Sequence, residues 1–182
     1  MSGSGWISTS MPYLTPRAAG DSDAWTDEAQ GAGRRGGQRI VHAGEGEAPA
    51  EVARMLGLAT GEPVIVRRRI IELDGGPTEL TDTYYPADIA SGTPLAGTAK
   101  IRGGAVTLLA GLGHIGVRAV ENVTARMPSP GEREQLRLGP VEPIIQLART
   151  TYDAAGRPIQ ADVMVMPATR QQLRYEIDIE VA

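Results

Sequence analysis

Alternating and periodic apolar residues divide the chain, from residue 38 onward, into short strands and helices. Alternation, and short apolar runs between turn residues, predict strands over residues 39–43, 64–73, 78–85, 116–126, 144–152, 159–166 and 174–179. Helical spacing and capping residues predict helices over residues 50–56, 105–110 and 130–136. Residues 74–77 and 154–157 contain Gly or Pro and indicate turns between paired strands. This mixture of elements predicts the α+β class.

Residues 1–37 differ from the rest of the chain, because they are rich in Gly, Ser and Pro and have little apolar periodicity. We predict an irregular N-terminal arm with one short helix over residues 23–30, for which Ser22 or Asp23 is the N-cap. The arm carries several large apolar side chains: Trp6, Met11, Tyr13, Leu14 and Trp25. They either dock the arm onto the domain formed by residues 38–182 or contact a second subunit.

The two halves of that domain share a repeated pattern. Six residues recur at an offset of 80, so that Leu56, Leu58, Glu62, Pro63, Ile65 and Arg69 match Leu136, Leu138, Glu142, Pro143, Ile145 and Arg149. Both copies follow the order strand, short helix, strand, hairpin, strand. This order predicts an internally duplicated sheet of six antiparallel strands with helices on one face. Corresponding residues of the two copies then surround a central cleft, where ligand pockets tend to form.

Composition narrows the chemistry that the domain can carry. The chain has 182 residues, enough for one ordinary domain, and it has no Cys, which excludes disulfides and thiolate chemistry. It has two His, so a His-rich metal site is not expected. No metal ligand and no cofactor is predicted. A net charge of −4 makes the chain a poor stand-alone DNA binder, because neutralisation of phosphates supplies most non-specific affinity.

The choice of amino acids and the lack of targeting segments bear on source and location. Seventeen of the 18 basic residues are Arg, the single Lys is Lys100, and Phe is absent, which is typical of a bacterial genome rich in G and C. No apolar stretch approaches the ~20 residues of a membrane-spanning helix. The N-terminus has neither the basic region nor the apolar region of a signal peptide. We therefore expect a cytoplasmic protein without a membrane partner.

Two features that look like nucleotide-binding or catalytic motifs have simpler interpretations. Residues 111–116 match G-x-G-x-x-G, but they follow a predicted helix and precede a strand, whereas a dinucleotide site needs the reverse order. His42 lies on a predicted strand and His114 in a loop, and no cluster of Ser, His and Asp is evident. Both are interpreted as structural, and no catalytic residue is predicted.

An Arg-rich strand and the strand that returns from it hold the first candidate binding residues. Alternation places Arg67 and Arg69 on one face and Arg68 on the other. On the return strand, one face carries a carboxylate and two hydroxyls: Glu79, Thr81 and Thr83. An Arg beside such groups on a concave sheet suits a phosphate or carboxylate of a small molecule. Ligand contact and a structural ion pair are equally open for Arg69.

A late strand holds the second set of candidates. Its residues on one face are Gln160, Asp162, Met164 and Met166. Gln160 occupies the place in the second copy that Glu79 occupies in the first. Polar side chains interspersed with Met either line a pocket or form an exposed face of the sheet.

Two parts of the sequence resemble a known family of bacterial regulators. The first combines residues 56–69 (LGLATGEPVIVRRR) with 74–77 (DGGP) and 84–86 (YYP), and the second combines residues 144–152 (IIQLARTTY) with 156–158 (GRP). Together they resemble the effector-binding UTRA domain of GntR/HutC-type transcription regulators. Such regulators carry a separate winged helix-turn-helix, for which residues 1–37 are too short and too rich in Gly. Either the chain is a free-standing ligand-binding module or its DNA-binding part lies outside this sequence.

The resemblance implies a fold, an assembly and a ligand site. It implies a chorismate-lyase-like fold, a homodimer, and a small-molecule effector such as a sugar, a sugar phosphate, a carboxylate or a related metabolite. Effector binding changes the placement of the winged helix domain, so DNA is a partner only indirectly. Five pocket positions of phosphosugar-binding members fall on Arg69, Ile71, Thr81, Gln160 and Met166, and Arg69 alone keeps the family's residue. The replacements favour a less charged ligand, or none.

The leading hypothesis is a dimeric sensor domain that is not an enzyme. Arg69 pairs with an anionic or carbonyl group of the ligand, and Met166 supplies an apolar contact. Ligand hydroxyls bond to three polar side chains: Glu79, Thr81 and Gln160. One alternative is an enzyme resembling chorismate lyase, in which Arg69 and Arg149 bind carboxylates, although no acid–base pair is evident. The other is an interaction module that dimerises with full-length regulators and needs no ligand.

Overall fold

The computed structural model describes residues 5–18 and 21–177, and a six-stranded sheet forms its centre. The strands of the described part are β1 (Trp6–Ser8), β2 (Gly36–Glu47), β3 (Pro63–Leu73), β4 (Gly76–Pro86), β5 (Arg118–Arg126), β6 (Ile144–Tyr152), β7 (Pro158–Pro167) and β8 (Gln171–Leu173). The main sheet has the order β2-β3-β4-β7-β6-β5, and all its neighbours are antiparallel. The predicted sheet is therefore confirmed. A short parallel pair, β1 with β8, lies apart from it.

Short helices connect the strands. They are α1 (Met11–Leu14), α2 (Ala24–Gly31), α3 (Ala50–Leu56), α4 (Ala87–Ala90), α5 (Gly104–Gly111) and α6 (Pro130–Gln135), with a 3-10 turn at Pro94–Ala96. The helices predicted over residues 50–56, 105–110 and 130–136 are confirmed within a residue or so. At the start of α6, the Ser129 side chain accepts from the Glu132 N–H at 3.3 Å, and the Glu132 carboxylate accepts from the Ser129 N–H at 2.7 Å.

Different elements cover the two faces of the sheet. On one face α3 packs in a buried cluster that includes Val52, Leu56, Val64 and Tyr84. On the other face, the connection from α4 to α5 packs over Ile65 and Tyr85 of β3 and β4. The helices of the two copies share one face, as predicted, because Leu136 at the end of α6 packs with Leu80 and Val165 on the α3 side. The other face is covered as well, because the connection between the copies carries its own apolar residues, Ile89, Leu95 and Leu109. The second face is therefore covered by a segment that lies outside the repeat.

The register of the two central strands shows an approximate twofold symmetry. One residue is inserted in the second copy after Arg149, so the offset between the two hairpins and the strands that follow them is 81. Asp82 of β4 lies opposite Val163 of β7, and Val163 is also the residue that corresponds to Asp82 in the second copy. On one side of this pair Thr81 lies opposite Met164, and on the other Thr83 lies opposite Asp162. Thr81 corresponds to Asp162 in the second copy, and Met164 corresponds to Thr83 in the first, so the repeat converts one of these pairs into the other. The sequence repeat therefore corresponds to a sheet whose symmetry axis passes between β4 and β7.

The same hydrogen bond closes the turn after each of the repeated helices. The Glu62 carboxylate accepts from the Ala59 N–H at 2.9 Å, and the Glu142 carboxylate accepts from the Gly139 N–H at 3.1 Å. In both copies the next residue is a Pro that leads into a strand next to the edge of the sheet, β3 or β6. The recurring Glu-Pro pair thus marks a turn that is built in the same way twice.

The N-terminal arm is more regular than the sequence predicted. The expected helix is present as α2, with the predicted Asp23 as N-cap, but β1 and α1 are also formed. The rings of Trp6 and Trp25 are 5.1 Å apart in edge-to-face contact and are buried against Ile71 and Leu73 of β3. Burial of two indoles offsets the conformational entropy lost by ordering short segments. The arm therefore docks onto its own domain, which is one of the two predicted alternatives.

The strand predicted over residues 174–179 is not formed where the structure describes this segment. The ladder of β8 ends at Leu173, because its partner β1 ends at Ser8 and the chain then enters α1. Tyr175 and Ile177, whose alternation suggested the strand, are 51% and 83% exposed. Alternation without a partner strand forms no ladder. The last residues of the predicted strand lie outside the described part of the chain.

Candidate functional site

A cavity of about 180 Å³ lies between the main sheet and the N-terminal arm. At roughly 30 Å³ per water molecule this volume holds about six waters, which is the scale of a small metabolite. Side chains of β3, β4, β6 and β7 form its floor, and the arm and the start of α5 form its walls. All five binding residues suggested by the sequence line it: Arg69, Glu79, Thr81, Gln160 and Met166.

Arg69 projects from β3 into the cavity without an ionic partner in the described part of the chain. Its Nη2 donates to Thr83 Oγ1 at 2.9 Å, and its Nε is buried without an acceptor. None of the ion pairs found within 4.0 Å among the described residues includes Arg69. The structural ion pair left open by the sequence is therefore not formed there. Guanidinium donors remain for an acceptor in the cavity.

A buried hydrogen-bond chain lies behind Arg69. Thr83 Oγ1 donates to Asp162 Oδ1 at 2.7 Å, and Gln160 Nε2 donates to Asp162 Oδ2 at 2.7 Å. Asp162 is 3% exposed, so these donors replace water around its carboxylate. The chain fixes the orientation of Gln160 and, through Thr83, that of Arg69. The exposed-face alternative for β7 is wrong, because all four residues on that face are buried.

Glu79 faces the same cavity from β4. Its carboxylate accepts a hydrogen bond from the Thr81 hydroxyl, and within the described residues it has no basic group at ion-pair distance. Burial raises the pKa of Glu79, since desolvation outweighs the lowering effects of the Thr81 hydrogen bond and of two nearby guanidinium groups. A cation or a further donor in the cavity would therefore stabilise this carboxylate.

An apolar patch completes the floor of the cavity. Met166 is 1% exposed and packs in one cluster with Leu147, Met164 and the partly buried Leu173. Thioether side chains are flexible and polarisable, so they adapt to the shape of what lies against them. This apolar patch lies beside the polar groups of β3 and β4 that line the same cavity.

Arg149 is the counterpart of Arg69 in the repeat, but the protein itself supplies its partners. Its Nε lies 2.6 Å from Glu121 Oε1, and its Nη2 donates to Ser10 Oγ at 3.0 Å. The side chains of Arg149 and Glu121 are 7% and 12% exposed. Burial alone would raise the pKa of Glu121, but hydrogen bonds from Ser10 and Arg149 and the Arg149 charge hold it below its usual value.

The other two residues of the Arg run are occupied by the protein as well. Arg67 is 4% exposed and donates to the carbonyl oxygens of Pro94, Leu95, Gly97 and Ala99. These bonds hold the connection between α4 and α5 against the sheet. Arg68 points to the opposite face, where its Nε lies 3.2 Å from Asp82 Oδ2. Of the three, Arg69 is the one whose donors remain available to a ligand.

The wall formed by the arm is a part of the site that sequence reasoning missed. Ser10, Tyr13 and Arg17 line the cavity. The Arg17 N–H donates to Thr107 Oγ1 of α5 at 3.0 Å, and the Tyr13 hydroxyl donates to Glu28 of α2. The large apolar residues of the arm indicated docking, but no periodicity indicated the place where it docks.

Other kinds of site are not seen in residues 5–18 and 21–177. No group of three or more His, Asp or Glu side chains converges there as metal ligands would. None of the helices in these ranges is long and apolar enough to cross a membrane. His42 is exposed on β2, and His114 is half-buried between α5 and β5. Residues 111–116 follow a helix and precede a strand, which is the reverse of a dinucleotide site.

The fold and the cavity together define a small α+β ligand-binding domain with a duplicated antiparallel sheet. Residues 31–172 match the UTRA domain, and the chain belongs to this family. An uncharacterised HTH-type transcriptional regulator of Streptomyces coelicolor is 32% identical over 137 residues, which cover 73% of this chain and 51% of that protein. The chain therefore spans about half the length of this curated relative.

Solved structures with the same fold are effector domains of regulators. The effector domain of PhnF from Mycobacterium smegmatis has a TM-score of 0.72 and 22% identity, over 91% of this chain and 99% of that one. The ligand-binding domain of a Bordetella bronchiseptica protein assigned to the GntR family has a TM-score of 0.68 and 28% identity, over 79% and 92%. The chain is thus a UTRA domain homologous to the effector-binding domains of GntR-family transcriptional regulators.

Proposed function

We propose that this chain is the sensor domain of a bacterial transcription regulator of the GntR family and HutC subfamily. The observation that carries the proposal is the Arg69 guanidinium, which lines the cavity and has no carboxylate partner at ion-pair distance in the described residues. Its Nε is buried without an acceptor, and an unsatisfied buried donor is costly. A ligand that brings an anionic or carbonyl group into the cavity accounts for its presence.

The five residues of the proposed site have different roles. Arg69 binds the anionic or carbonyl group, and Met166 contacts an apolar portion of the ligand. Hydrogen bonds to other polar groups of the ligand come from Glu79, Thr81 and Gln160. The support for these roles is that all five side chains line one cavity and that the Asp162 network orients Gln160.

We propose that the domain binds its ligand without transforming it. Asp162 is bound by Thr83 and Gln160, and Glu79 by Thr81, so neither carboxylate is paired with a second group for proton transfer. The homologous domains belong to transcription regulators. The alternative, a reaction like that of chorismate lyase, predicts release of 4-hydroxybenzoate from chorismate. Detection of this product with the purified chain would replace the sensor proposal.

The proposed regulator is a cytoplasmic homodimer that reaches DNA through a winged helix domain outside residues 1–182. The length of the HTH-type relative, of which this chain matches about half, supports a further domain in such proteins. The net charge of −4 supports an indirect contact with DNA. Sedimentation of the purified chain tests the dimer independently of any ligand.

A thermal-shift screen tests the proposed function. The panel contains sugar phosphates, sugars, amino acids, nucleotides and aromatic acids. A ligand at 100 times its Kd stabilises the folded state by about 2.7 kcal/mol, which raises the Tm of a domain of this size by roughly 5–10 °C. A selective shift supports the sensor, whereas a flat response across the panel favours the ligand-free interaction module.

Matched variants of neighbouring arginines connect the shift to the cavity. Arg69→Ala removes the proposed ligand contact, and we expect it to abolish the ligand-dependent shift. Arg68→Ala removes the same side chain from the opposite face, where Arg68 contacts Asp82, and we expect the shift to persist. An unchanged Kd in Arg69→Ala, measured by calorimetry, would refute the role of Arg69.

A further inference from the structure

We propose that the ligand of this cavity is a small zwitterion, with its anionic group at Arg69 and an ammonium group at Glu79. This inference rests on the proposed sensor function and specifies the chemical class of the effector. It follows from the charged groups around the cavity, most of which are already bound by the protein, and from the two on the cavity floor that are not. Arg174, which also lines the cavity, is exposed to solvent.

Most charged side chains around the cavity have partners within the protein. Arg149 is paired with Glu121 at 2.6 Å, Lys100 with Asp23 at 2.8 Å, and Arg17 with Asp27. Arg67 is bound by four carbonyl oxygens. Asp162 accepts from Thr83 and Gln160. These groups are held by the fold and have little to gain from a ligand.

Arg69 and Glu79 are the exceptions on the cavity floor. Each has one neutral hydroxyl partner, Thr83 for Arg69 and Thr81 for Glu79. In the part of the chain that the structure describes, the two are not within the 4.0 Å of an ion pair with each other or with another charged side chain. One cationic and one anionic group therefore face the same small space unpaired.

The strand register sets their separation. Thr81 lies opposite Arg69, and Glu79 lies two residues further along β4, opposite Ile71. Such diagonal neighbours on adjacent strands are about 7–8 Å apart at the backbone. The two side chains therefore start close enough for one small molecule to contact both. Their charged ends are outside ion-pair distance, although the Arg69 charge still acts to lower the pKa of Glu79.

A zwitterion satisfies both groups, whereas a simple anion does not. A phosphate or carboxylate at Arg69 alone would lie near the Glu79 carboxylate, and like charges in a desolvated site repel. Burial already raises the pKa of Glu79, so a bound ammonium would relieve an existing cost. The Met164 and Met166 side chains beside these groups offer contact to an apolar body. An amino acid or an aminoalkyl phosphate has this combination of groups.

The test compares amine-bearing probes with amine-free probes of the same shape. Leucine is compared with 4-methylpentanoate, the other protein amino acids with their deaminated acids, and O-phosphoethanolamine with ethyl phosphate. Binding is measured by calorimetry with the wild-type chain, Glu79→Gln, Arg69→Ala and the control Arg68→Ala. Glu79→Gln is isosteric and still accepts the Thr81 hydrogen bond, and its Tm is measured first to establish that it is folded.

We expect the wild-type chain to bind at least one amine-bearing probe tenfold or more tightly than its amine-free partner. Glu79→Gln should reduce this preference to about twofold or less, while Arg69→Ala should lose both members of the pair. Arg68→Ala should match the wild type.

Two other results would overturn the inference and separate it from the proposed function. If an amine-free acid or phosphate binds as tightly as its amine-bearing partner and needs Arg69, the sensor stands and the zwitterion is wrong. If no amine-bearing probe binds, the zwitterion is also wrong. If no compound of the wider screening panel binds either, the sensor function fails with it.

Discussion

The two copies of the repeat place the same residue in two different electrostatic environments. Opposite Arg149, the neighbouring strand carries Glu121, and opposite Arg69 the equivalent position carries Ile40. Arg149 is therefore neutralised by the fold, while Arg69 has only the Thr83 hydroxyl among the described groups. The comparison teaches that one copy of the repeated arginine serves the structure and that the other is free to serve a ligand.

The repeated helices differ in a similar way. In the first copy, Val52 of α3 is 2% exposed and packs in the core. The equivalent position in α6 is Glu132, whose carboxylate is bound at 2.7 Å by both Nη atoms of Arg126 from β5. At this position the first helix is attached by apolar burial and the second by a surface ion pair, whereas Leu136 at the end of α6 is buried like its counterpart Leu56. The same backbone plan tolerates both means of attachment.

The largest expected effect comes from breaking the buried pair of the second copy. Arg149→Met leaves Glu121 desolvated without a counter-ion, and we expect a loss of about 3 kcal/mol in the free energy of unfolding. For a domain of this size the Tm should fall by roughly 6–12 °C. Arg69→Met strands no partner carboxylate and should cost about 1 kcal/mol or less. Equal losses in the two variants, measured by urea denaturation, would contradict the comparison.

A second variant gives Arg69 of the first copy the carboxylate neighbour that Arg149 has in the second copy. Ile40→Glu places a carboxylate opposite Arg69, as Glu121 lies opposite Arg149. We expect the affinity for the effector found by screening to fall at least tenfold, or about 1.4 kcal/mol, because the new carboxylate competes for the guanidinium. Ile40→Gln has a similar size without the charge and controls for shape. Equal affinities of the two variants in calorimetry would mean that Arg69 does not bind an anionic group.

A smaller effect is expected at the helix of the second copy. The Arg126 hydrogen bonds lower the pKa of Glu132 to about 2 from its usual 4.5. The pair therefore stabilises the fold fully above pH 4.5, and the contribution is lost as the pH falls through about 2. Because the Arg126 side chain is 39% exposed, we expect Glu132→Gln to cost only about 1 kcal/mol at pH 7. The difference in Tm between the variant and the wild type should shrink below pH 4. A difference that stays constant there would argue against a stabilising Arg126–Glu132 pair.

The smallest expected effect concerns Glu79 in the protein without a ligand. Burial raises its pKa, so the folded state holds a proton that the unfolded state releases, and stability falls as the pH rises from 4.5 through the raised pKa. Glu79→Gln lacks this dependence. It should have a slightly higher Tm than the wild type at pH 7, and the two should converge near pH 4. A lower Tm for the variant at pH 7 would indicate that Glu79 is already neutralised by the protein.

The floor of the site was predictable because a strand alternates its side chains with a period of two. The positions of Glu79 and Thr81 on β4 and of Gln160 and Met166 on β7 follow from that period alone. The sequence repeat predicted one sheet formed by both copies, and β4 and β7 are neighbours at its centre. These features are local or periodic, so sequence patterns are sufficient to find them.

Long-range packing accounts for what the sequence left out. Ser10 and Tyr13 reach the cavity because Trp6 and Trp25 bury themselves against β3, a contact that no local pattern specifies. The pairing of Arg149 with Glu121 depends on the register of β5 with β6, two strands joined by the segment that contains α6. The distinction between Arg69 and Arg149, on which the functional proposal depends, therefore became visible only in the folded chain.

The most direct test of the central claim is a crystal structure of this chain with the effector found by screening. The account predicts that the anionic or carbonyl group of the effector lies within hydrogen-bond distance of the Arg69 guanidinium, about 2.7–3.2 Å. Arg149 should remain bound to Glu121. An effector whose anionic group lies on Arg149, with Glu121 displaced and Arg69 untouched, would contradict the assignment of the two arginines.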